Sequence, residues 1–375
     1  MIEQREITPK SVEFFEQFKG RLNELLKTEG LPPGVAITLI ANLNFHGQDI
    51  PADIFEGIDY SNGYGSPDNE AVLKTVQRMI QDGQPLRQPV REKIDEEFSL
   101  QYNFIRGFRP LRGARRLDIA LNEPIQFDNK GKPKGFNYTS EECTLEKFTT
   151  LPYDRMPVDI LFNRYPFAPY HFLWVPNRIP DDLKDIHNQF LDPEKDKAII
   201  QAAWDTVTKQ GFGQGIRLCY NSNGAHASAN HLHFQGFFIT QGWEPPFEKF
   251  IRFCDDPSRK LKDCYFKGVR WLSKSDGAPG LEDFISEMNR RDGAAYNLCL
   301  TPSGIACFPR KHQADEEYST MLEQSKWTTG YAFLEMLGEI ISPTQDVLDM
   351  DKIVLKGEIR RIYDILQLGS NSNVF

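Results

Sequence analysis

The sequence predicts an α+β fold. Helical periodicity marks the N-terminal part, strand and turn patterns take over from about Tyr102, and helices with one apolar face recur between the later strands. The 375 residues suffice for one large domain or two ordinary ones. With 40% hydrophobic and 26% charged residues the composition is that of a globular chain. No apolar run approaches the roughly 20 residues that span a bilayer, and Met1 to Glu6 lacks the basic-then-apolar order of a signal peptide. A formal charge of −9 argues against a nucleic acid as the main partner, because duplex binding draws on cationic surface. The cysteines Cys143, Cys219, Cys254, Cys264, Cys299 and Cys307 stand apart with no Cys-x-x-Cys pair, so no zinc or redox motif is visible. Scattered thiols without a signal segment predict a reduced, cytoplasmic protein.

Residues 10 to 29 carry Val12, Phe15, Phe18, Leu22, Leu25 and Leu26 at helical spacing, and Gly30 with Pro32-Pro33 stops the helix. A second helix is expected from Ser66-Pro67-Asp68 to Gly83, with Val72, Val76, Met79 and Ile80 inward. Pro85 through Lys93 reads as a connection, and Asn129 to Gly135 as an exposed turn. Val158 to Phe162 and His171 to Val175 read as paired strands joined around Pro166 and Pro169. Ile199 to Gln210 reads as a helix closed by Gly211, and Ile216 to Tyr220 as a strand. A polar loop runs from Asn221 to Asn230. Asn297 to Leu300 and Ile305 to Phe308 form a hairpin around Pro302-Ser303-Gly304. Leu281, Phe284, Ile285 and Met288 share a helix ending at Gly293. Phe333, Leu334, Leu337, Ile340 and Ile341 are expected on another. The tail from Gly369 is expected to fray. The first hairpin ends in Val175-Pro176-Asn177-Arg178 and the second in Phe308-Pro309-Arg310-Lys311, a repeated theme that points weakly to two similar halves.

The most chemically loaded segment is Asn230-His231-Leu232-His233-Phe234-Gln235. Its alternation predicts a strand with His231, His233 and Gln235 along one face and Leu232, Phe234 and Phe238 on the other. Three readings follow. The histidines could be hydrogen-bonded residues on a wet sheet face. They could chelate a metal, although Gln is a poor zinc ligand and no carboxylate or cysteine lies nearby in sequence. Or one imidazole could be a nucleophile toward phosphorus, its other ring nitrogen held by an acceptor. The small residues of Asn221 to Asn230 would then leave backbone N–H groups open to phosphate.

The stretch Asn223-Gly224 through Ala227-Ser228-Ala229-Asn230-His231-Leu232-His233-Phe234-Gln235 resembles the histidine-triad superfamily, in its transferase branch with a His-x-His-x-Gln motif. The wording is most similar to the GDP-hexose phosphorylases, and also similar to diadenosine tetraphosphate phosphorylases and galactose-1-phosphate uridylyltransferases. Phe136-Asn137-Tyr138-Thr139, Asn163-Arg164-Tyr165-Pro166-Phe167 with His171, and Tyr296-Asn297-Leu298 through Arg310 resemble further segments of that branch. The resemblance covers about residues 100 to 350.

It implies two histidine-triad-like halves with an antiparallel sheet flanked by helices, about 96–245 and 246–350. An N-terminal helical extension (1–95) and a C-terminal helix and tail (351–375) would flank them. It implies that His233 is the nucleophile, that His231 orients it or meets the phosphates, and that Gln235 holds a phosphoryl oxygen. Asn223, Ser228, Asn163, His171 and Arg310 are its substrate-binding candidates. Arg112, Arg115 and Arg116 are a further basic group, and His226 has no counterpart. The hydrolases of the superfamily carry a third histidine where Gln235 stands, which favours transfer to phosphate over transfer to water. The uridylyltransferases carry a cysteine/histidine metal site, and no such cluster is visible, so neither metal nor cofactor is expected. The implied partners are a nucleotide sugar or dinucleoside polyphosphate and inorganic phosphate, with a homodimer plausible for the family. A hydrolase of the same fold and a non-catalytic nucleotide-binding protein remain the alternatives.

Overall fold

The computed structural model describes residues 7–60, 67–84, 86–108, 125–129, 131, 133, 137–153, 156–227, 229–240, 243–252, 257, 261–328 and 330–368. Helix α1 (Pro9–Leu25) starts where the Thr8 side chain accepts the Ser11 N–H and Pro9 fixes the first turn, and it buries Phe14, Phe18, Leu22 and Leu25. Helix α2 (Pro33–Phe45) is buried along almost its whole length. The sequence reading missed it because a helix that is apolar all round carries no amphipathic period. Helix α3 (Pro67–Gln81) follows the expected bounds. Strand β1 (Val90–Lys93) lies in the segment read as a connection, and β2 (Ser99–Tyr102) follows it.

The chain continues through α4 (Glu141–Glu146), β3 (Lys147–Leu151), β4 (Val158–Phe162), β5 (Phe172–Pro176), α5 (Lys197–Thr208), β6 (Ile216–Asn221) and β7 (Phe234–Phe238). Then come α6 (Pro246–Arg252), β8 (Arg270–Ser273), α7 (Gly277–Arg290), β9 (Ala294–Thr301) and β10 (Gly304–Lys311). Last are α8 (Glu316–Gln324), α9 (Phe333–Met336), β11 (Glu339–Ser342) and α10 (Lys352–Leu366). No helix among the described residues is long and apolar enough to cross a membrane.

The fold is α+β. Among the described residues one antiparallel sheet runs β3-β4-β5-β7-β6-β9-β10-β8, and a smaller one runs β1-β2-β11 with β11 parallel to β2. In the large sheet β6 and β9 pair directly, Leu218 with Leu300 through Asn221 with Asn297. One face carries Phe172, Trp174, Leu218, Tyr220, Phe234, Phe238, Leu298 and Leu300 beneath the apolar sides of α1, α5 and α7. The other carries Cys219, Phe237, Cys299, Ala306 and Phe308 against the small sheet, α6 and α8 to α10. Glu339, almost fully buried, ties this second layer together. It accepts Arg91 Nε (2.8 Å), Gln101 Nε2 (2.7 Å) and Trp243 Nε1 (2.8 Å).

Phe333 to Ile341 is not one helix. The helix ends at Met336, Gly338 adopts φ +84°, and Glu339 to Ser342 pairs with β2. A side chain at Gly338 would meet the Glu97 carbonyl at 2.5 Å, so the turn into the strand requires glycine.

His46 closes α2 against Phe18, Phe45 and Tyr170, and its Nε2 is sealed from solvent without a partner. Burial, then Lys19, lower its pKa to about 4. The unfolded chain therefore binds the extra proton as pH falls below about 6.5, and stability is lost through that window down to the folded pKa. His46→Phe is expected to gain stability relative to the parent by on the order of 1 kcal/mol more at pH 5 than at pH 8. Urea denaturation at the two pH values measures it.

Candidate active site

The strand that carries the motif begins at Phe234, so His231 and His233 stand before it and only Gln235 lies on it. This corrects the expectation of one strand face. Gln235 pairs with Leu173 on β5 and Cys219 on β6. The preceding backbone is held by the segment before α5. Leu232 N–H donates to the His187 carbonyl (2.8 Å) and His233 N–H to Gln189 Oε1 (2.9 Å). Both histidines are buried, His231 at 0% and His233 at 2% exposure.

The main chain fixes the tautomers of both rings. His233 Nδ1 lies 2.9 Å from the His231 carbonyl oxygen. A carbonyl only accepts, so Nδ1 carries the proton and the lone pair of the neutral ring is on Nε2. His231 is set the opposite way: its Nδ1 accepts the Tyr138 N–H (3.2 Å), which puts its proton on Nε2. That N–H is buried without a partner. Burial, then the charges of His233 and Arg178, push the His231 pKa down to about 3, so the ring is neutral at any ordinary pH. The Tyr138 ring packs 5.4 Å from His231 and 5.2 Å from His233. Tyr138 is itself anchored: Arg178 Nη1 donates to its carbonyl (2.7 Å) while Arg178 Nε donates to Asp159 Oδ2 (2.7 Å).

A second polar group is built around Gln235. Asn163 Oδ1 accepts the Tyr165 N–H (2.9 Å), which turns its amide nitrogen toward Gln235 Oε1 (3.5 Å). His171 Nε2 lies 3.1 Å from the same oxygen. With donors on its oxygen, the Gln235 carboxamide directs its NH2 the other way, as a donor. His171 is fully buried and held neutral, its pKa driven well below the usual value by burial and then by Arg106. Gly236 is required here, since a Cβ would strike the Phe172 ring at 2.0 Å. Helix α2 braces this corner. Asn42 Nδ2 donates to the Asn163 carbonyl (3.0 Å), and Arg164 is gripped by Glu146 (2.9 Å) and Glu142 (3.3 Å) on α4.

The loop after β6 departs from expectation. Its Ala225 N–H donates to Ser222 O (3.0 Å) and its His226 N–H to Gln313 Oε1 (2.6 Å), so these donors are spent inside the fold. Asn297 Nδ2 donates to the Ala225 carbonyl and to Asn221 Oδ1 (3.1 and 2.7 Å). The Asn223 carbonyl accepts the Ser222 hydroxyl (3.1 Å). Ser228, Arg112, Arg115 and Arg116 lie outside the described residues. The His226 ring meets the Tyr318 hydroxyl at 2.6 Å.

Arg310 sits on β10, three strands from the one that bears Gln235. It is fully buried, donating to the Tyr331 carbonyl, to Lys311 O (3.3 Å) and to Asn297 Oδ1 (3.5 Å), and it lies over the Tyr318 ring. Its Nη2 is buried without a partner, and burial lowers its pKa. The structure thus joins His231 with His233, and Asn163 and His171 with Gln235. Arg310 reaches toward this group through Asn297 and Asn221. Gln189 and Asn42 were absent from the sequence reading, because neither stands in a pattern that a single sequence displays.

Chemically, a neutral imidazole with its lone pair fixed on Nε2 is a nucleophile or base. An unpartnered N–H on His231 and the NH2 of Gln235 are donors of the kind that stabilise charge on phosphoryl oxygens. Arg178→Met should remove the buried cation from the half-buried Asp159, leaving Lys147 at 3.5 Å, and take away the Arg178 donor to the Tyr138 carbonyl. It is expected to cost about 2 kcal/mol in denaturant unfolding and to raise the exchange rate of the Tyr138 amide.

Residues 124–237, which span the hairpin, the loop and both histidines, match the family model described as GDPGP1-like, N-terminal domain. No curated protein is a significant match. Among solved structures the chain is similar to yeast Ap4A phosphorylase Apa2 in complex with Ap4A, at 13% identity and a TM-score of 0.41, covering 82% of this chain and 98% of that one. The same enzyme in complex with AMP is matched at 14% identity and a TM-score of 0.38, over 80% of this chain and 95% of that one.

Proposed function

We propose that the chain is a nucleotidyltransferase of the phosphorylase type, acting by double displacement through a covalent nucleotidyl-histidine. The observation that carries this reading is the His231 carbonyl on His233 Nδ1, which leaves Nε2 as the nucleophilic nitrogen. In the first step Nε2 bonds to the α-phosphorus of a nucleoside diphosphate conjugate, and the bond from that phosphorus to the bridging oxygen breaks. For a GDP-hexose the leaving group is the hexose 1-phosphate. The adduct ring is cationic, with its proton still on Nδ1 and donated to the His231 carbonyl, which stabilises the charge. In the second step an oxygen of inorganic phosphate attacks the same phosphorus, the P–N bond breaks, and GDP leaves with His233 again neutral. His231 Nε2–H and the Gln235 NH2 meet the non-bridging oxygens, with Asn163 and His171 orienting the carboxamide. Asn223 and Ser228 are the loop's contacts to phosphate.

The GDPGP1-like match over the residues that hold both histidines supports a GDP-hexose as the donor. Gln235, with its oxygen already occupied by donors, supports transfer to phosphate, since no third imidazole stands at that position to serve an attacking water. A dinucleoside polyphosphate is the second donor of the same chemistry.

Incubation with a panel of GDP-hexoses and dinucleoside polyphosphates, followed by intact-mass measurement, tests the mechanism. An acid-labile gain of one nucleoside monophosphate is expected, absent in His233→Ala. Absence of adduct and turnover across the panel, or an adduct that persists in His233→Ala, overturns it. With phosphate present the product should be the nucleoside diphosphate; a monophosphate formed equally well without phosphate would mark a hydrolase. Gln235→Leu should lower kcat by about a hundredfold or more with a smaller change in KM, because the lost donor acts on charge that grows in the transition state.

A further inference from the structure

We propose that Gln189 is the positioning residue of the nucleophile, its side-chain amide standing in for a strand where the pairing of β6 with β7 ends. The pairing of β6 with β7 ends at Cys219 opposite Gln235. Continued by two residues, the same register would set Asn221 opposite His233. The carboxamide of Gln189 lies between them instead. Its Oε1 accepts the His233 N–H (2.9 Å), and its Nε2 donates to the His233 carbonyl (3.2 Å) and to the Asn221 carbonyl (3.0 Å). A primary amide offers the same acceptor and donor pair as a peptide group, so the side chain completes both backbones without a neighbouring strand.

Gln189 is fully buried, and its own main chain is fastened as firmly as its side chain. Its N–H donates to Asn230 Oδ1 (3.2 Å) and its carbonyl accepts the Tyr220 hydroxyl (3.1 Å). The segment is tied to the start of α5 by His187 Nδ1 against Asp196 Oδ1 (3.1 Å). The effect falls on His233. Whether its Nδ1 reaches the His231 carbonyl depends on the backbone between the two residues, and Gln189 grips that backbone at both polar groups of His233. Without the grip the ring loses its enforced Nδ1–H form and relaxes toward the Nε2–H form that free imidazole side chains prefer. In that form Nε2 has no lone pair to attack with. Gln189 touches no reacting atom; it acts through His233.

The proposal rests on the reading of His233 as nucleophile, and its first test does not. Long-range ¹H–¹⁵N correlation spectra of histidine-labelled protein, taken without substrate, report the tautomer of each ring. In the parent protein His233 should show the Nδ1–H form. Gln189→Met keeps the length of the side chain and removes its donor and acceptor. It should shift the His233 nitrogens toward a tautomer average while His171 stays unchanged. The rate of nucleotidyl transfer should fall about tenfold or more, with the donor KM within about threefold. A folded Gln189→Met protein with the parent His233 tautomer and a rate within about twofold of the parent overturns the proposal, as does a loss confined to KM. Should Gln189→Met fail to fold, Gln189→Asn decides by the same readings: a shifted tautomer supports the role and an unshifted one overturns it. A shifted tautomer in a protein that turns over no donor supports the clamp and refutes the phosphorylase reading. Turnover with an unshifted tautomer does the reverse.

Discussion

A carbonyl oxygen accepts hydrogen bonds and never donates them, and the candidate site depends on that asymmetry. The His231 carbonyl dictates where His233 keeps its proton, and the Tyr138 N–H dictates the opposite for His231. The two rings are therefore chemically complementary before any substrate arrives, one with its lone pair on Nε2 and one with its N–H there. Burial reinforces this by keeping His231 neutral. Side chains alone would not give the same certainty, because hydroxyls and imidazoles can exchange roles.

The rest of the architecture serves to hold those main-chain groups in place. The Arg178–Asp159 pair fastens Tyr138 from one side. The N-terminal helices reach the same region from the other, through Asn42 on the Asn163 carbonyl and Arg164 between two carboxylates. The C-terminal hairpin closes the third side, where the Tyr296 carbonyl accepts the Ser222 N–H (3.0 Å) and Asn297 Nδ2 donates to the Ala225 carbonyl (3.1 Å).

Elements with one wet face were legible in the sequence. The first helix and the helix ending before Gly293 show the period their burial demands, whereas the hairpin around Pro302, buried on both faces, was marked by its turn. Helix α2 was not, since complete burial erases the contrast on which periodicity depends. The segment from Phe333 matched a helix because Leu337, Ile340 and Ile341 keep helical spacing; Gly338 was the contrary signal, and its positive φ decides the outcome. At the site, the two imidazoles and Gln235 announced themselves by residue type. The burial of Arg310 was not legible, because its contacts come from Tyr318 and Tyr331, distant in the sequence. Gln189 was silent for a different reason: a side chain that imitates backbone has no characteristic neighbours.

The small sheet carries one further implication, for the order of assembly. Strand β2 must wait for β11, which lies more than two hundred residues later, and Glu339 on β11 is the common acceptor for Arg91, Gln101 and Trp243. At ribosomal speeds that interval is on the order of tens of seconds. Until then the layer of core behind Gln235 has no lid, and loop-closure entropy delays its formation further. The chemistry-bearing end of the molecule is thus among the last parts to become rigid as the chain is made.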